Sequence, residues 1–208
     1  MTCIVGLVEH GTILMGGDSA ISDDHGQQTI HTGQKVFHVG QTHQLLLGCE
    51  GSCRVAQLLR YTLQIPPYDE VMDVEVWLAA AFIEAVRTCL KSGGAAGKED
   101  EREEGGTFLV GCRGRLFEVQ ADYSILESVT GYEAVGSGAP IALGALHATA
   151  NLPARLRIEK ALAAAAAHNA YVRSPFVIKC LESSQHMMNE GAREGIQRGE
   201  KALLQQKG

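Results

Sequence analysis

Residues 2–19 read TCIVGLVEHGTILMGGDS, and this segment has the pattern of a β-hairpin that ends in a polar turn. Two apolar runs, 3–8 and 12–15, flank a short turn at residues 9–11. A glycine in the turn and apolar residues on both sides are typical of two antiparallel strands. We therefore expect a hairpin at the start of the chain, with Asp18 and Ser19 soon after its second strand.

Strand-like and helix-like segments come in groups along the rest of the chain. Strands are expected before residue 50 and from residue 107 onward, and a last strand near residue 180. The spacing of apolar residues predicts four helices, over 55–63, 69–90, 140–150 and 154–168. Groups without strict alternation favour an α+β fold. Two stacked antiparallel sheets with helices on both outer faces, a four-layer αββα sandwich, would cover every apolar face.

The length of the chain, 208 residues, suits one sizeable hydrophobic core. We expect a single domain over residues 1–208. Residues 91–106, KSGGAAGKEDEREEGG, are rich in glycine and charge and predict an exposed loop. Residues 183–208 predict a polar C-terminal tail without an evident partner.

The composition argues against several classes of function. Lys and Arg number 18 against 24 Asp and Glu, and aromatic residues make up 5%, which argues against nucleic-acid binding. No apolar run approaches the roughly 20 residues that span a bilayer, and no secretory signal is visible. The six cysteines form no CxxC pair and predict reduced side chains. We expect a cytoplasmic protein that contacts neither membrane nor nucleic acid.

Metal and nucleotide sites also lack support in the sequence. The eight histidines form neither an HxxxH motif nor a His-Cys set with the spacing of a zinc site. The glycine-rich segments match neither GxxxxGK[ST] nor GxGxxG. The sequence therefore predicts no metal and no cofactor.

Thr2 carries the most specific chemistry, because removal of Met1 would make it the N-terminus. A free N-terminal threonine has a nucleophilic hydroxyl and, on the same residue, an amine that can accept its proton. Such an amine titrates near about pH 8, and a neighbouring ammonium lowers its pKa further. Lys35 is a candidate for that ammonium, and Asp18 could neutralise and orient it. The residues alone leave a structural role open, in which Asp18 satisfies a turn and Lys35 lies on the surface.

Five motifs in a fixed order favour the catalytic role of these residues over the structural one. They are residues 2–6, 11–19, 35–36, 47–52 (LGCEGS) and 134–138 (AVGSG). In this order they resemble proteasome β-subunits and the related bacterial HslV peptidases. The resemblance covers about residues 2–180, and it implies an N-terminal nucleophile hydrolase that forms a homo-oligomeric ring.

The resemblance also implies a threonine peptidase and assigns roles to its residues. Thr2 would attack a peptide carbonyl, Lys35 would supply the electrostatics, and Asp18 would anchor Lys35. Ser137 would hydrogen-bond near the Thr2 amine, and the Gly51 amide would stabilise the oxyanion. Expected partners are a peptide or unfolded protein as substrate and, at the level of the family, an ATPase unfoldase.

One position that supports catalysis differs from the family, and the residues at the expected specificity pocket are neutral. Asn169 occupies the place of a supporting aspartate, so this side chain supplies no charge. Cys49 and Cys53 match positions that line the main specificity pocket, with Phe37 near them, which predicts a small, neutral, apolar pocket. In the alternative interpretation, the cysteines only pack a helix.

Two other functions remain open at this level. One is a catalytically silent assembly protein that keeps the fold, and the other is an N-terminal nucleophile amidase or transpeptidase for a specific amide. Asn169 favours these alternatives, whereas the presence of Thr2, Asp18 and Lys35 favours the peptidase.

Cys3, next to Thr2, is either a strand residue or a thiol that reacts with electrophiles.

Overall fold

The computed structural model of the protein describes residues 2–22, 27–31, 34–40, 44–99 and 102–182. The strands of the first half are β1 (Ile4–Glu9), β2 (Thr12–Gly17), β3 (Ala20–Ser22), β4 (Gln28–Ile30), β5 (Val36–Val39) and β6 (Leu45–Cys49). The later strands are β7 (Gly97–Glu99), β8 (Arg102–Glu104), β9 (Phe108–Cys112), β10 (Arg115–Val119), β11 (Ile125–Glu127), β12 (Tyr132–Val135) and β13 (Val177–Leu181). The helices are α1 (Cys53–Tyr61), α2 (Val74–Trp77), α3 (Ile83–Ser92), α4 (Ala139–Ala148) and α5 (Ala154–His168), and a π-helical segment, Leu78–Phe82, joins α2 to α3.

Two antiparallel sheets form the centre of the molecule. The first has the strand order β12-β1-β2-β13, and the second has the order β11-β10-β9-β6-β5. Two short ribbons, β3-β4 and β7-β8, lie outside these sheets. The last strand of the described chain, β13, pairs with β2, so residues far apart in sequence meet beside the N-terminal hairpin.

The buried side chains divide into three layers, which shows the four-layer αββα architecture. The layer between the two sheets contains Ile4, Ile13, Met15, Leu46 and Leu109, among others. An alanine-rich layer lies between the first sheet and helices α4 and α5. A larger layer, which contains Trp77 and four phenylalanines, lies between the second sheet and helices α1 to α3.

The first strand is buried on both of its faces, and this fixes the start of the chain. Ile4 belongs to the layer between the sheets, whereas Cys3, Val5 and Leu7 face helices α4 and α5. Successive side chains of a strand point to opposite faces, so a slip of one residue would exchange the two sets. The register therefore holds Thr2, at the end of this alternation, in one position.

The fold confirms the predicted hairpin and corrects two boundaries. The helix expected over 69–90 begins at Val74, because Asp73 caps it by accepting from the Glu75 amide at 2.8 Å. The loop expected over 91–106 contains the β7-β8 ribbon. Arg87 Nη2 pairs with Glu103 at 2.7 Å and so attaches this charged segment to α3.

The predicted tail, 183–208, lies outside the described residues. None of the helices in the described ranges has the length and apolar character needed to cross a membrane.

Candidate active site

Thr2 lies two residues before β1, and its backbone is held from two sides. The residue is 2% exposed. Its carbonyl oxygen accepts a hydrogen bond from the Gly138 amide at 3.1 Å, and the Ser137 hydroxyl donates to the same oxygen at 3.5 Å. The β1-β2 hairpin thus fixes Thr2 from one side, and the segment after β12 fixes it from the other.

The Thr2 hydroxyl contacts a buried ion pair. Lys35 Nζ donates to Thr2 Oγ1 at 2.9 Å and to Asp18 Oδ1 at 2.8 Å. Lys35 directly precedes β5, and its carbonyl accepts from the Cys49 amide at 2.9 Å, which ties it to the end of β6. The Lys35 side chain is 13% exposed and that of Asp18 is 0% exposed. The ammonium therefore lies between a carboxylate and the Thr2 hydroxyl, largely out of water.

Backbone amides from separate segments surround the Asp18 carboxylate. The Cys3 amide donates to Oδ1 at 3.0 Å, and the Ala20 and Arg173 amides donate to Oδ2 at 3.1 and 3.5 Å. A buried carboxylate is stable only when hydrogen bonds and a cation compensate for its lost hydration. These donors fix Asp18, and Asp18 in turn fixes the Lys35 ammonium.

The segment after β12 packs so closely on Thr2 that it requires a glycine. Gly136 has a φ of +94°, and a Cβ there would lie 2.3 Å from the Thr2 carbonyl oxygen. Asn169, which ends α5, holds this segment: its Nδ2 donates to the Ser137 carbonyl at 2.8 Å, and its Oδ1 accepts from the Tyr171 amide at 2.9 Å. Asn169 therefore positions the segment that binds the Thr2 carbonyl.

Gly51 lies at the turn from β6 into α1. Its φ is +73°, a conformation that favours glycine. Ser52 then caps α1 by accepting from the Arg54 and Val55 amides at 3.2 and 3.4 Å. Gly51 and Thr2 line the same cavity, so the Gly51 backbone borders the space beside the threonine.

The cavity beside Thr2 has a volume of about 250 Å³. Its wall brings Thr2, Lys35 and Gly51 together with Cys49 and Cys53. Cys49 is 3% exposed, and burial raises the pKa of its thiol. Cys53, the first residue of α1, is exposed. The two thiols of the wall therefore differ in their access to solvent.

Comparison with solved structures finds proteins with a similar fold. BPH of Thiobacillus denitrificans matches with a TM-score of 0.73 at 20% identity, over 88% of this chain and 99% of that one. The same protein in complex with epoxomicin gives a TM-score of 0.72. Eukaryotic HslV from Trypanosoma brucei matches with a TM-score of 0.62 at 16% identity, over 87% of this chain and 99% of that one. The chain has the HslV fold.

The HslV fold extends to a further relative. Anbu, the ancestral β-subunit, from Yersinia bercovieri matches with a TM-score of 0.61 at 15% identity, over 98% of this chain and 96% of that one. No protein-family model and no curated protein sequence matches the chain. The relationship is therefore visible in the structure, where it confirms the predicted resemblance at the level of the fold.

Within the HslV fold, Phe37 has a packing position. It is 1% exposed, belongs to the layer under helices α1 to α3, and does not line the cavity. Its neighbour Val36 faces the other way, into the layer between the sheets. This corrects the predicted substrate contact, because alternation along β5 turns Phe37 into the core.

Cys3 is a buried strand residue. It is 0% exposed. Burial, followed by the charge of Asp18, raises the pKa of its thiol to about 12, although Lys35 acts in the opposite direction. The thiolate is the reactive form of cysteine. The structure therefore favours the packing interpretation of Cys3 over that of a reactive thiol.

Several residues of the site were not anticipated from the sequence. His31 and Arg60 line the cavity, and the Arg173 amide contacts Asp18. Arg60 follows Cys53 by seven residues, which is two helical turns, so the periodicity of α1 was a signal that placed both on one face. Arg173 is 155 residues from Asp18 in the chain, and no local pattern connects the two.

The arrangement suits nucleophilic chemistry at Thr2. An alkoxide that forms at Oγ1 would be stabilised by the Lys35 ammonium, 2.9 Å away, in surroundings from which water is largely excluded. Among the residues that the structure describes, no group of three or more His, Cys, Asp or Glu is placed to hold a metal ion. Next to the Thr2 hydroxyl lies the Lys35 ammonium, and the cavity wall also carries the Cys49 and Cys53 thiols, His31 and Arg60.

Proposed function

We propose that the chain is a threonine peptidase whose nucleophile is Thr2 after removal of Met1. The observation that carries the proposal is the position of the Lys35 ammonium, 2.9 Å from Thr2 Oγ1 and 2.8 Å from Asp18 Oδ1. Burial of an ion pair costs desolvation free energy that its attraction often fails to recover. A catalytic role accounts for such an ion pair, because a cation held beside a hydroxyl stabilises the alkoxide that forms from it.

In the proposed reaction, the neutral Thr2 amine accepts the hydroxyl proton, directly or through a water molecule, while Oγ1 bonds to the carbonyl carbon of a peptide. Lys35 stabilises the charge on Oγ1, and the Gly51 amide donates to the carbonyl oxygen as it becomes an oxyanion. The amine then gives the proton to the leaving nitrogen as the C–N bond breaks. Water hydrolyses the resulting ester and restores the Thr2 hydroxyl.

The remaining predicted residues act through position. Asp18 holds the Lys35 ammonium at 2.8 Å. The Ser137 hydroxyl donates to the Thr2 carbonyl oxygen. Asn169 donates to the Ser137 carbonyl and so holds the segment that binds Thr2. In the proposed mechanism these residues keep the hydroxyl, the amine and the cation in one geometry, which is the contribution of orientation to catalysis.

The proposed assembly is a homo-oligomeric ring that admits peptides or unfolded protein, as the resemblance to ring-forming peptidases implies. Native mass spectrometry tests this: a ring is expected, and a monomer at micromolar concentration contradicts it.

The activity is tested by reaction with epoxomicin, the compound found in complex with BPH of Thiobacillus denitrificans. Intact mass and peptide mapping are expected to show a chain without Met1 that carries one adduct, on Thr2. Thr2→Ala should prevent the adduct, and Thr2→Ser, which keeps a hydroxyl, should retain it. Cys53→Ser removes the exposed thiol of the cavity and should leave the adduct unchanged. An adduct on Cys53, or an unreactive chain that retains Met1, contradicts the proposal.

Asn169 supports a second candidate, a catalytically silent assembly protein. Its side chain bonds to the Ser137 carbonyl and supplies no charge. Such a protein would form the ring, retain Met1 and remain unmodified by epoxomicin. The same experiment therefore distinguishes the two functions.

A further inference from the structure

One face of α1 forms a wall of the cavity beside Thr2. The residues of this face lie at positions i, i+3, i+4 and i+7 of the helix: Cys53, Ala56, Gln57 and Arg60. The opposite face is buried in the core: Val55, Leu58 and Leu59. Arg60 follows Cys53, the first residue of α1, by seven residues, and seven residues of helix span about 10 Å, so Arg60 lies about 10 Å along the wall from the start of the helix.

Arg60 brings an unbalanced positive charge to this wall. The charge of Lys35 is balanced by Asp18, whose side chain is 0% exposed. Among the described residues, no carboxylate forms an ion pair with Arg60. The described residues that line the cavity include no Asp and no Glu. The part of the cavity wall that the structure describes is therefore positive, and Arg60 has no ion-pair partner among the described residues.

Ring contacts hold the Arg60 guanidinium in place. It lies 5.7 Å from the ring centre of Phe37 and 5.1 Å from that of Tyr61. Arg60 is half-buried, whereas Tyr61 is 72% exposed. A guanidinium that already packs on aromatic rings loses less conformational freedom when it binds a carboxylate, and its donors match both oxygens of that group.

We propose that Arg60 makes this site select peptides with an acidic side chain within three residues of the scissile bond, on the acyl side. This inference rests on the proposed peptidase function, because the acyl part of the substrate is the part bonded to Thr2. An extended peptide spans about 3.3 Å per residue, so the 10 Å along α1 between Cys53, at the start of the helix, and Arg60 corresponds to about three residues. The substrate class is an acidic peptide.

The inference is tested with fluorogenic peptides that release an amine dye. Glu and Gln are compared at each of the three residues before the scissile bond, so the members of each pair have the same size and differ in charge. The proteins are the wild type, Arg60→Met, Arg60→Lys and, as a matched control, Arg155→Met, which removes an exposed arginine of α5. Thermal unfolding and the epoxomicin adduct on Thr2 show that each variant is folded and reactive.

The wild type is expected to cleave the Glu peptide at one of these positions with a kcat/KM about fivefold to tenfold above that of the Gln peptide. Arg60→Met should abolish the preference, so that the Glu and Gln peptides of a pair are cleaved with equal kcat/KM. Arg60→Lys should keep part of it, Arg155→Met should keep all of it, and salt should reduce it.

Two results overturn the inference. If the proteins form the Thr2 adduct and cleave peptides without a preference for Glu, or keep that preference in Arg60→Met, the inference is wrong and the peptidase proposal stands. If no variant and no wild-type protein forms the adduct or cleaves any peptide, both are wrong.

Discussion

Two supports hold Thr2, and they differ in charge. Asp18 and Lys35, the charged support, contact the hydroxyl through an ammonium at 2.9 Å. Ser137 and Asn169, the neutral support, contact the backbone: the Ser137 hydroxyl is 3.5 Å from the Thr2 carbonyl oxygen, and Asn169 bonds only to other backbone groups. The charged groups thus contact the Thr2 hydroxyl, whereas the neutral groups fix the position of the Thr2 backbone.

This difference indicates where substitutions should matter most. A buried ion pair that loses one partner leaves an uncompensated charge, whereas a neutral contact at the limit of hydrogen-bond distance contributes little.

Asp18→Asn should have the largest effect. The substitution leaves the Lys35 ammonium without its partner and removes the charge that accepts from three backbone amides. We expect a loss of about 3 kcal/mol in the free energy of unfolding, measured by urea denaturation, and loss of the epoxomicin adduct. The double variant Asp18→Asn with Lys35→Met should lose less stability than the single one, because no unpaired charge remains. A loss below about 1 kcal/mol in the single variant would contradict the charged support.

Gly136→Ala should be the next largest, and Gly131→Ala is its matched control. Both glycines have positive φ, +94° and +72°, but the added Cβ lies 2.3 Å from the Thr2 carbonyl oxygen at 136 and no closer than 3.8 Å to the Val8 carbonyl oxygen at 131. The control therefore measures the backbone strain alone, about 1 kcal/mol. We expect Gly136→Ala to lose about 1 kcal/mol more than the control, which is less than the loss in Asp18→Asn, and to slow modification of Thr2. Equal losses in the two variants would show that the segment is not tightly packed on Thr2.

Asn169→Asp tests whether the neutral support would gain from a charge. The carboxylate cannot donate to the Ser137 carbonyl and lies at the C-terminal end of α5, where the helix dipole opposes it. We expect a loss of about 1–2 kcal/mol at pH 7. The folded state favours the protonated acid, so its pKa should rise above the ordinary value of about 4, and the loss should shrink as the pH falls through that raised pKa towards about 4. Faster peptide cleavage by the variant would instead show that the site lacks a charge at this position.

Ser137→Ala should have the smallest effect. Its hydroxyl donates over 3.5 Å to an oxygen that the Gly138 amide already binds at 3.1 Å. We expect a loss under about 0.5 kcal/mol and a change in turnover within about twofold. A loss of turnover of tenfold or more would show that Ser137 bonds to the free Thr2 amine, which becomes available only after Met1 is removed.

The charged support was predictable from the sequence only in part. The β1-β2 hairpin lies within residues 2–19, so its turn and both strands are visible as one local pattern, and Asp18 follows directly. The pairing of Asp18 with Lys35 was expected from the order of the motifs. The Arg173 amide is 155 residues from Asp18 in the chain. The pairing of β13 with β2 brings the two together, and such a long-range pairing leaves no local pattern in the sequence.

The helical regions show a second limit. The apolar spacing predicted one helix over 69–90, yet its start depends on the cap at Asp73, and a π-helical segment interrupts it. The charged residues of 91–106 predict an exposed loop. One of them, Glu103, instead pairs with Arg87 of α3. Composition predicts exposure well, but it does not predict which partner a charge finds.

The burial of Cys3 has a consequence for the protein under oxidative conditions. Peroxide oxidises thiolates to sulfenic acid, and exposure and thiolate character determine which cysteines react. Cys3 is 0% exposed, and burial raises the pKa of its thiol to about 12, so we expect it to react with peroxide more slowly than an exposed thiol such as Cys53. The residue next to the nucleophile is therefore protected against redox damage, and the first strand keeps its packing.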